Sequence, residues 1–238
     1  MSGPHRHRHP IRRLLRRTLP LVAVAALTAT LAAALQVREV RVTGAHRFPA
    51  RDVEVALRSS LGVPTVATRA GALRARVLAV PWVADAAVRV SLDGVVTCAL
   101  AEREPVAVAI DGGAAQLVDR EGRLLAPADP VPALVRLEGF APYPEERSAF
   151  LAARPEVERA WGAAVARAVR LGPHDVELTF AGTPLPVLAD PARPAQLAAA
   201  RRVLAAWVAH RPAPLRVDAR VAGRVAVMPA PAPAEGES

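Results

Sequence analysis

The pattern of hydrophobic and polar positions divides the chain into an apolar run and a longer mixed region. Residues 18–37 carry no charge and consist mostly of Ala, Leu and Val. Beyond them, short alternating segments and segments with apolar residues at every third or fourth position follow one another as far as residue 228. Alternation is typical of half-buried strands, and the longer period is typical of helices packed on a core. The mixture predicts an α+β fold.

Residues 38–106 predict a small layered domain. A strand containing Val40 and Val42 ends at Thr43-Gly44, and two runs of alternating residues, 86–92 and 95–101, flank Asp93-Gly94. This dipeptide favours a tight hairpin turn. Between them lie two predicted helices with apolar residues at helical spacing: Val53, Leu57 and Leu61 before Gly62, then Leu73, Val77 and Leu78 before Pro81. The order β-α-α-β-β places two helices on one face of a three-stranded sheet.

Residues 107–228 predict a mixed β-sheet domain with two helical stretches. The helices are expected over residues 149–169, where Pro155 either starts or interrupts the helix, and over residues 194–209. The strand candidates are residues 116–119, 123–125, 134–137, 169–171, 176–180, 185–188, 215–221 and 224–228. Residues 229–238 are rich in Pro and Ala and acidic, which predicts a disordered tail.

The N-terminus predicts a membrane anchor. Residues 1–17 contain six Arg and no acidic residue, and the 20 uncharged residues 18–37 that follow are long enough to span a bilayer core of roughly 30 Å. Arg before the span places the N-terminus in the cytoplasm and the bulk of the chain outside. The alternative is a cleaved signal peptide, since Ala32-Ala33-Ala34 fits a cleavage site, but signal cores are usually about 7–15 residues long.

Composition excludes several classes of function. All 31 basic residues are Arg, so the chain has no catalytic or P-loop lysine. One Cys, Cys98, allows no internal disulfide and no Cys-rich zinc site. Aromatic residues make up 3% of the chain, which argues against a nucleic-acid module built on stacked rings. Six of the net +9 charges lie in the basic tail, so the body is nearly neutral.

The search for catalytic, metal and cofactor chemistry finds no strong candidate. His5, His7 and His9 alternate with Pro and Arg, whose charge opposes cation binding, and the other three His are isolated beside predicted turns or helix ends. Cys98 lies in a predicted strand, where a buried inert thiol is expected. No nucleophile elbow, zinc-protease motif or glycine-rich phosphate loop occurs. We therefore predict no enzyme, no metal and no cofactor.

Two sets of motifs resemble one protein family. The first half contains Val40-x-Val42-x-Gly44, Pro81-Trp82-Val83-x-x-Ala86-x-Val88 and Glu102-Arg103-x-Pro105-Val106-Ala107. The second contains Leu117-Val118-Asp119-Arg120-Glu121-Gly122 and Val217-Asp218-Ala219-Arg220, followed by Gly223 and Val225-Ala226-Val227. Together they resemble the FtsQ/DivIB family of bacterial division proteins, which have a membrane anchor, a POTRA domain and a β domain. Some members carry an aromatic residue where this chain has Val221.

The resemblance implies a scaffold at the division septum in the cell (inner) membrane. Such proteins hold FtsB and FtsL through the end of the β domain, and their POTRA domain helps to recruit them to the division site. Here the partner strand would pair with an edge formed by seven residues: Arg220, Val221, Gly223, Arg224, Val225, Ala226 and Val227. Val225 and Val227 would fit pockets, and Arg220 or Arg224 would meet acidic side chains. The alternative is that these valines face the domain core.

Two other classes of protein remain open from the sequence. A POTRA-bearing chaperone or transport module would capture client strands by the same edge pairing, but the chain shows neither repeated POTRA units nor a long β tail. The other class is an anchored hydrolase with a site built from dispersed residues. Turnover by a soluble fragment would favour the hydrolase, whereas loss of septation on depletion without turnover would favour the scaffold.

Overall fold

The computed structural model describes residues 21–30, 35–129 and 133–230. Residues 21–30 are helical and are named α1. The chain divides into two compact units between Glu102 and Arg103, and each unit is described by itself below. This division falls four residues before the domain boundary expected from the sequence at residue 106.

The described part of the chain includes only portions of the predicted anchor and tails. Residues 1–17, residues 18–20 and 31–34 of the predicted anchor, and residues 231–238 lie outside it. Among the described residues, no helix has both the length and the apolar character needed to cross a membrane.

The first unit is a three-stranded sheet with two helices. Its elements are β1 (Glu39–Thr43), α2 (Arg51–Leu57), α3 (Ala70–Leu78), β2 (Val83–Val90) and β3 (Val95–Glu102). The strand order is β1-β3-β2, with β3 parallel to β1 and antiparallel to β2. The predicted order β-α-α-β-β is therefore confirmed.

Four apolar positions of the two helices in the first unit are buried as predicted, whereas Leu61 is not. Val53, Leu57, Leu73 and Val77 are buried, as their helical spacing predicts. Leu61 differs from prediction, because α2 stops at Leu57 and a 3₁₀ turn follows, which leaves Leu61 outside the helix and 45% exposed. The cause is a tertiary contact, since the loop after this turn hydrogen-bonds to residues 35–37 instead of extending the helix.

Trp82 is the largest fully buried side chain of this unit. Its ring stacks on Phe48 with 5.3 Å between ring centroids, and its indole Nε1 donates to Asp52 Oδ2 at 3.3 Å. Only 2% of Trp82 is exposed. Trp82 therefore ties the start of β2 to the loop before α2 and to α2 itself.

Gly44 and Glu102 fix the turn that follows β1. Gly44 has φ +91°, and a side chain there would overlap the carbonyl oxygen of Leu100. The Glu102 carboxylate accepts three backbone N–H groups, those of His46 and Phe48 at 2.8 and 3.1 Å through Oε1 and that of Arg47 at 3.0 Å. Gly44 and Glu102, which both belong to the family motifs, thus stabilise the same loop after β1.

Replacing Glu102 by Gln should reduce the loss of stability of the first unit in acid. Burial raises the pKa of Glu102, but the three N–H donors outweigh it and hold the pKa below its ordinary value. A carboxyl with a lowered folded pKa stabilises the fold above its unfolded pKa of about 4.3 and stops doing so as the pH falls through the folded value. Urea unfolding followed by hydrogen exchange in residues 39–102 at pH 7 and pH 3 measures this.

The matched control for this prediction is Glu54→Gln, which changes an exposed carboxyl of α2. Glu54→Gln should leave the difference between the two pH values as in the wild type. If the wild type and the Glu102→Gln protein lose the same stability between pH 7 and pH 3, the hydrogen bonds to the three N–H groups do not depend on the charge of Glu102.

The second unit contains nine strands and two helices. The strands are β4 (Ala107–Asp111), β5 (Ala114–Val118), β6 (Leu124–Pro127), β7 (Val135–Glu138), β8 (Val165–Arg170), β9 (Val176–Phe180), β10 (Thr183–Ala189), β11 (Arg216–Asp218) and β12 (Ala226–Met228). The helices are α4 (Pro144–Trp161) and α5 (Pro194–Val208). The strands form one sheet in the order β12-β11-β10-β9-β8-β7-β4-β5-β6. The predicted mixed sheet with two helices is confirmed.

The prediction of a helix over residues 149–169 was wrong at both ends. Helix α4 begins at Pro144, where a missing N–H costs nothing, and continues through Pro155. It ends at Gly162, whose φ of +85° stops the helix, so residues 165–170 form β8 instead. Pro155 neither starts nor interrupts the helix.

One hydrophobic core joins both helices to the sheet of the second unit. Trp161 of α4 stacks on Phe180 of β9 with 4.6 Å between ring centroids. Phe150 and Leu197, from the two helices, are buried in the same cluster, which also contains Val217 of β11. The core therefore reaches from the helices to β11 and, through Val225, to the segment before β12.

The motif Leu117 to Gly122 is held by two buried charged residues. Asp119 is buried, accepts the backbone N–H of Arg123 at 2.7 Å and pairs with Arg103 at 3.1 Å. Arg147 of α4 is also buried, and its guanidinium donates to three backbone carbonyls: those of Gly122 at 2.6 Å, Phe140 at 3.0 Å and Ala141 at 2.7 Å. Burial lowers the pKa of Arg147. The sequence predicted the hairpin but not its attachment to α4.

Candidate partner-binding edge

β12 forms one edge of the nine-stranded sheet. It runs antiparallel to β11, with Val217 opposite Val227, and no described strand pairs with its other side. The opposite edge, β6, ends in Pro127, which cannot donate a backbone hydrogen bond. An unpaired strand presents N–H and C=O groups that another strand can bind. β12 is therefore the more open edge of this sheet.

The structure brings only part of the predicted site into the strand. Of the seven residues, Ala226 and Val227 lie in β12, whereas Arg220 to Val225 form the turn and the extended segment before it. The predicted strands over residues 215–221 and 224–228 are thus shorter than expected. Asp218 ends β11 because its carboxylate accepts the backbone N–H of Arg220 at 3.1 Å, and Gly223, at φ +71°, completes the turn.

Two of the three valines of the site lie on the core side of the sheet, whereas Val221 lies in the turn and is 58% exposed. Val225 packs against the hydrophobic core, and Val227 is half-buried opposite the fully buried Val217. The outward positions of β12 belong to Ala226 and to Met228, which is 53% exposed. Met228 was missing from the sequence-based site, because alternation identifies two faces but does not say which one is buried.

The two arginines of the site differ in their availability. Arg220 pairs with Asp218 through Nη2 at 2.7 Å and through Nε at 3.0 Å, and with Asp175 at 3.4 Å. The hydrogen bonds to Asp218 raise the pKa of Arg220, and Arg220 in turn lowers the pKa of Asp218. Arg224 is exposed and has no ion pair among the described residues. Arg224 is thus the better candidate to meet an acidic side chain.

Gln196 holds the turn between β11 and β12. Its side-chain amide, at the start of α5, donates to the carbonyls of Val221 at 2.5 Å and Arg224 at 2.9 Å. The contacts join residues 25 and 28 positions apart in sequence, so no local pattern could have revealed them. The N-terminal turn of α5 therefore positions the chain that leads into the edge strand.

A surface groove of about 400 Å³ lies beside the edge. Apolar Leu188 and Met228 line it together with charged Arg216, Asp218 and Arg220. Arg216 is held by Glu177 at 3.0 Å, so most of these charges are compensated within the unit. The groove can therefore accept an apolar side chain next to a strand added at β12.

In the first sheet, side chains already hydrogen-bond to part of the edge strand β2. At β2, Arg74 donates through Nε to the carbonyl of Ala86 at 2.7 Å and pairs with Asp85 at 2.6 Å, while the N–H of Ala86 binds the Asp85 carboxylate at 2.8 Å. Side chains thus already satisfy both backbone groups of Ala86. This makes the middle of β2 a poorer acceptor for another strand than β12.

Outside this edge, the described residues offer little reactive chemistry. They contain no group of three or more His, Cys, Asp or Glu that could hold a metal ion. His46, His174 and His210 are exposed, as expected, and Cys98 is buried, with burial raising the pKa of its thiol.

One comparison with known proteins agrees with the fold of the first unit. The family model of the POTRA domain of FtsQ type matches residues 35–103, a little under a third of the chain. Among solved structures, the chain is similar to the major extracytoplasmic domain of the trans isomer of the bacterial cell division protein DivIB from Geobacillus stearothermophilus. Identity is 18%, coverage is 46% of this chain and 98% of that one, and the TM-score is 0.33, a level that carries no argument. No curated protein matches.

Proposed function

We propose that this chain, which carries a POTRA domain of the FtsQ type at residues 35–103, is a membrane-anchored scaffold of the bacterial division machinery. It binds FtsB- and FtsL-like proteins outside the cytoplasmic membrane by strand pairing at β12. The observation that carries the proposal is the FtsQ-type domain, because the FtsQ/DivIB family that the sequence resembles consists of division proteins. The open edge at β12 supplies the binding chemistry.

The proposed anchor is the apolar run that precedes the first unit. Leu35 and Val37 make backbone hydrogen bonds to the loop at residues 63–65, so the part available to a bilayer is residues 18–34. These 17 residues would span about 26 Å as a helix, at the short end of the range for a single crossing. The six Arg before them orient the N-terminus towards the cytoplasm.

The proposed partner segment is an extended strand with an apolar residue and an acidic residue. Its backbone would pair with β12, and an apolar side chain would occupy the groove beside Leu188 and Met228. An acidic side chain would meet Arg224, which has no ion pair among the described residues. Other division proteins would bind through the POTRA domain.

Replacing Ala226 by Glu should weaken retention of FtsB- and FtsL-like proteins by about tenfold or more, without unfolding the protein. The exposed side of β12 tolerates a carboxylate in water, but a partner strand added beside it would remove water from that charge. A loss of about 1.4 kcal/mol in binding free energy already weakens the affinity tenfold. The measurement is a pull-down from membrane extract with the full chain in detergent. Val225→Asp is a poorer probe, because Val225 packs against the core.

The matched control is Ala166→Glu, the same change at an exposed position of β8, inside the sheet. Circular dichroism checks the fold of both variants. Equal retention by the wild type, Ala226→Glu and Ala166→Glu would place the binding site elsewhere. If the wild type retains no division protein, the scaffold function itself is wrong.

A further inference from the structure

One end of the first unit brings together three segments that are distant in sequence. They are residues 35–38, the loop over residues 58–69, and the hairpin tip at residues 91–94; we name them together the anchor-proximal end. Backbone hydrogen bonds join them: Val37 N to Val63 O at 3.0 Å, Thr65 N to Leu35 O at 2.7 Å, and Arg38 N to Gly94 O at 2.8 Å. Since residues 35–38 continue directly from the apolar run, this end is where the run meets the folded unit.

Large apolar side chains are exposed at this end. Leu61 is 45% exposed, Val66 77% and Leu92 68%, and each lies on one of the two loops of the anchor-proximal end. Among residues 35–102, the only other exposed large apolar side chain is Val55 on α2. Single exposed apolar residues are ordinary, but a group at one end marks a contact surface.

A basic groove lies beside the loop that carries Leu61 and Val66, since the neighbouring Ser60 and Ala67 line it. It has a volume of about 240 Å³, and its lining includes Ser59, Thr68, Arg69 and Arg76. Arg76 donates to the hydroxyl of Ser59, and neither Arg69 nor Arg76 has an ion pair among the described residues. Two guanidinium groups and the hydroxyl of Ser59 are donors suited to a phosphate, whereas the hydroxyl of Thr68 already donates to the carbonyl of Pro64 at 3.0 Å.

The one acidic residue of this end, Asp93, and the neighbouring Glu39 are already bound within the unit. Asp93 accepts the hydroxyl of Ser91 and the N–H of Val95, and the hydrogen bond from Ser91 lowers its pKa. Glu39 pairs with Arg41 through both oxygens, at 2.6 and 3.0 Å. The arginines of the groove, by contrast, are uncompensated, so the groove attracts an anion.

We infer that the anchor-proximal end rests on the bilayer surface. Arg69 and Arg76 bind the phosphate of an anionic lipid headgroup, and Leu61, Val66 and Leu92 enter the boundary between headgroups and acyl chains. Basic residues beside exposed apolar ones are the composition of surfaces that bind anionic membranes. The inference rests on the proposed membrane attachment, which brings this end to the bilayer.

A lipid occupant explains more of this end than a free phosphate does. Inorganic phosphate would need only the groove and would leave Val66 and Leu92 exposed to water. A bilayer satisfies both features at once, because its headgroups carry the anion and its interface takes up apolar side chains. Docking would fix the orientation of the first unit at the membrane.

The test places an environment-sensitive dye at position 66 of the full chain. Val66→Cys in a Cys98→Ala background gives a single labelling site, since Cys98 is the only native Cys. The labelled chain is reconstituted into nanodiscs of phosphatidylethanolamine with phosphatidylglycerol, or of phosphatidylcholine alone. We expect blue-shifted emission and quenching by shallow spin-labelled lipid in the anionic nanodiscs, and neither with the label at the exposed position Ala84.

The contribution of the groove arginines to docking is tested with two double variants that each lose two positive charges. Arg69→Gln with Arg76→Gln should lower the docking equilibrium by about 30-fold, the value for two arginines at an anionic surface. The control is Arg51→Gln with Arg120→Gln, two exposed arginines outside the anchor-proximal end, and should leave docking unchanged.

Three results would overturn the inference. The label at position 66 could behave like that at position 84 in both lipids, or the groove variant could dock like the control. The third is that 10 mM inorganic phosphate in lipid-free detergent reproduces the full shift, which would indicate a small-anion site. Carbonate extraction of the chain in nanodiscs separately tests membrane attachment. Extraction of the chain refutes the anchor. Retention of the chain without a blue shift or quenching at position 66 refutes only the docking.

Discussion

Replacing Arg147 by Met should lower the free energy of unfolding of the second unit by about 3 kcal/mol. The guanidinium is buried and donates to the carbonyls of Gly122, Phe140 and Ala141. Methionine fills a similar volume but donates nothing, so the carbonyls of Gly122 and Ala141 lose their partner, whereas that of Phe140 keeps the N–H of Tyr143. Each buried carbonyl left without a partner costs about 1–3 kcal/mol. The recovered desolvation of the charge offsets part of this cost. Urea unfolding, with hydrogen exchange in residues 107–228, measures the change.

Two variants separate the possible causes of this effect. Arg147→Lys keeps the charge but lacks the planar fork that reaches three carbonyls, so we expect it to remain nearly as unstable as Arg147→Met. Arg159→Met removes an exposed arginine of the same helix, paired with Glu156, and should change stability by less than about 1 kcal/mol. Full recovery in the Lys variant would mean that charge alone, and not the three hydrogen bonds, holds the hairpin to α4.

Replacing Trp82 by Ala should destabilise the first unit by about 3–5 kcal/mol, the usual cost of truncating a large buried ring. The ring is 2% exposed and stacks on Phe48, so its loss opens a cavity between the loop before α2 and the start of β2. Hydrogen exchange in residues 39–102 should accelerate strongly. The hydrogen bond from Nε1 to Asp52 adds a smaller contribution, which Trp82→Phe would isolate.

The matched variant in the second unit is Trp161→Ala. Trp161 stacks on Phe180 as Trp82 stacks on Phe48, and it is also buried. We expect Trp161→Ala to accelerate exchange in residues 107–228 and Trp82→Ala to accelerate it in residues 39–102. Uniform acceleration across both units in either variant would show that the two units do not unfold separately.

Local patterns in the sequence were enough to predict most elements. The β-α-α-β-β order of the first unit follows from alternation in β2 and β3, helical spacing in α2 and α3, and Asp93-Gly94. For the first unit, the POTRA domain expected from motif order is confirmed by the match of the FtsQ-type POTRA model to residues 35–103. These features depend on residues that are neighbours in sequence, where propensity and periodicity act directly.

Helix ends and the composition of the edge could not be predicted in this way. Helix α4 continues through Pro155 because tertiary packing of Phe150 and Trp161 outweighs the lost hydrogen bond. Whether Val227 or Met228 faces outward depends on the strand register, which Val217 sets from β11.

The sequence by itself determined the apolar run, the two α+β units and the family resemblance. Only the tertiary structure decided which side chains are free to bind. It compensates Arg220 with Asp218 and Asp175, leaves Arg224 without an ion pair among the described residues, and turns Met228 outward. The physical reason is that exposure and charge compensation depend on contacts between residues far apart in the chain, whereas periodicity reports only on near neighbours.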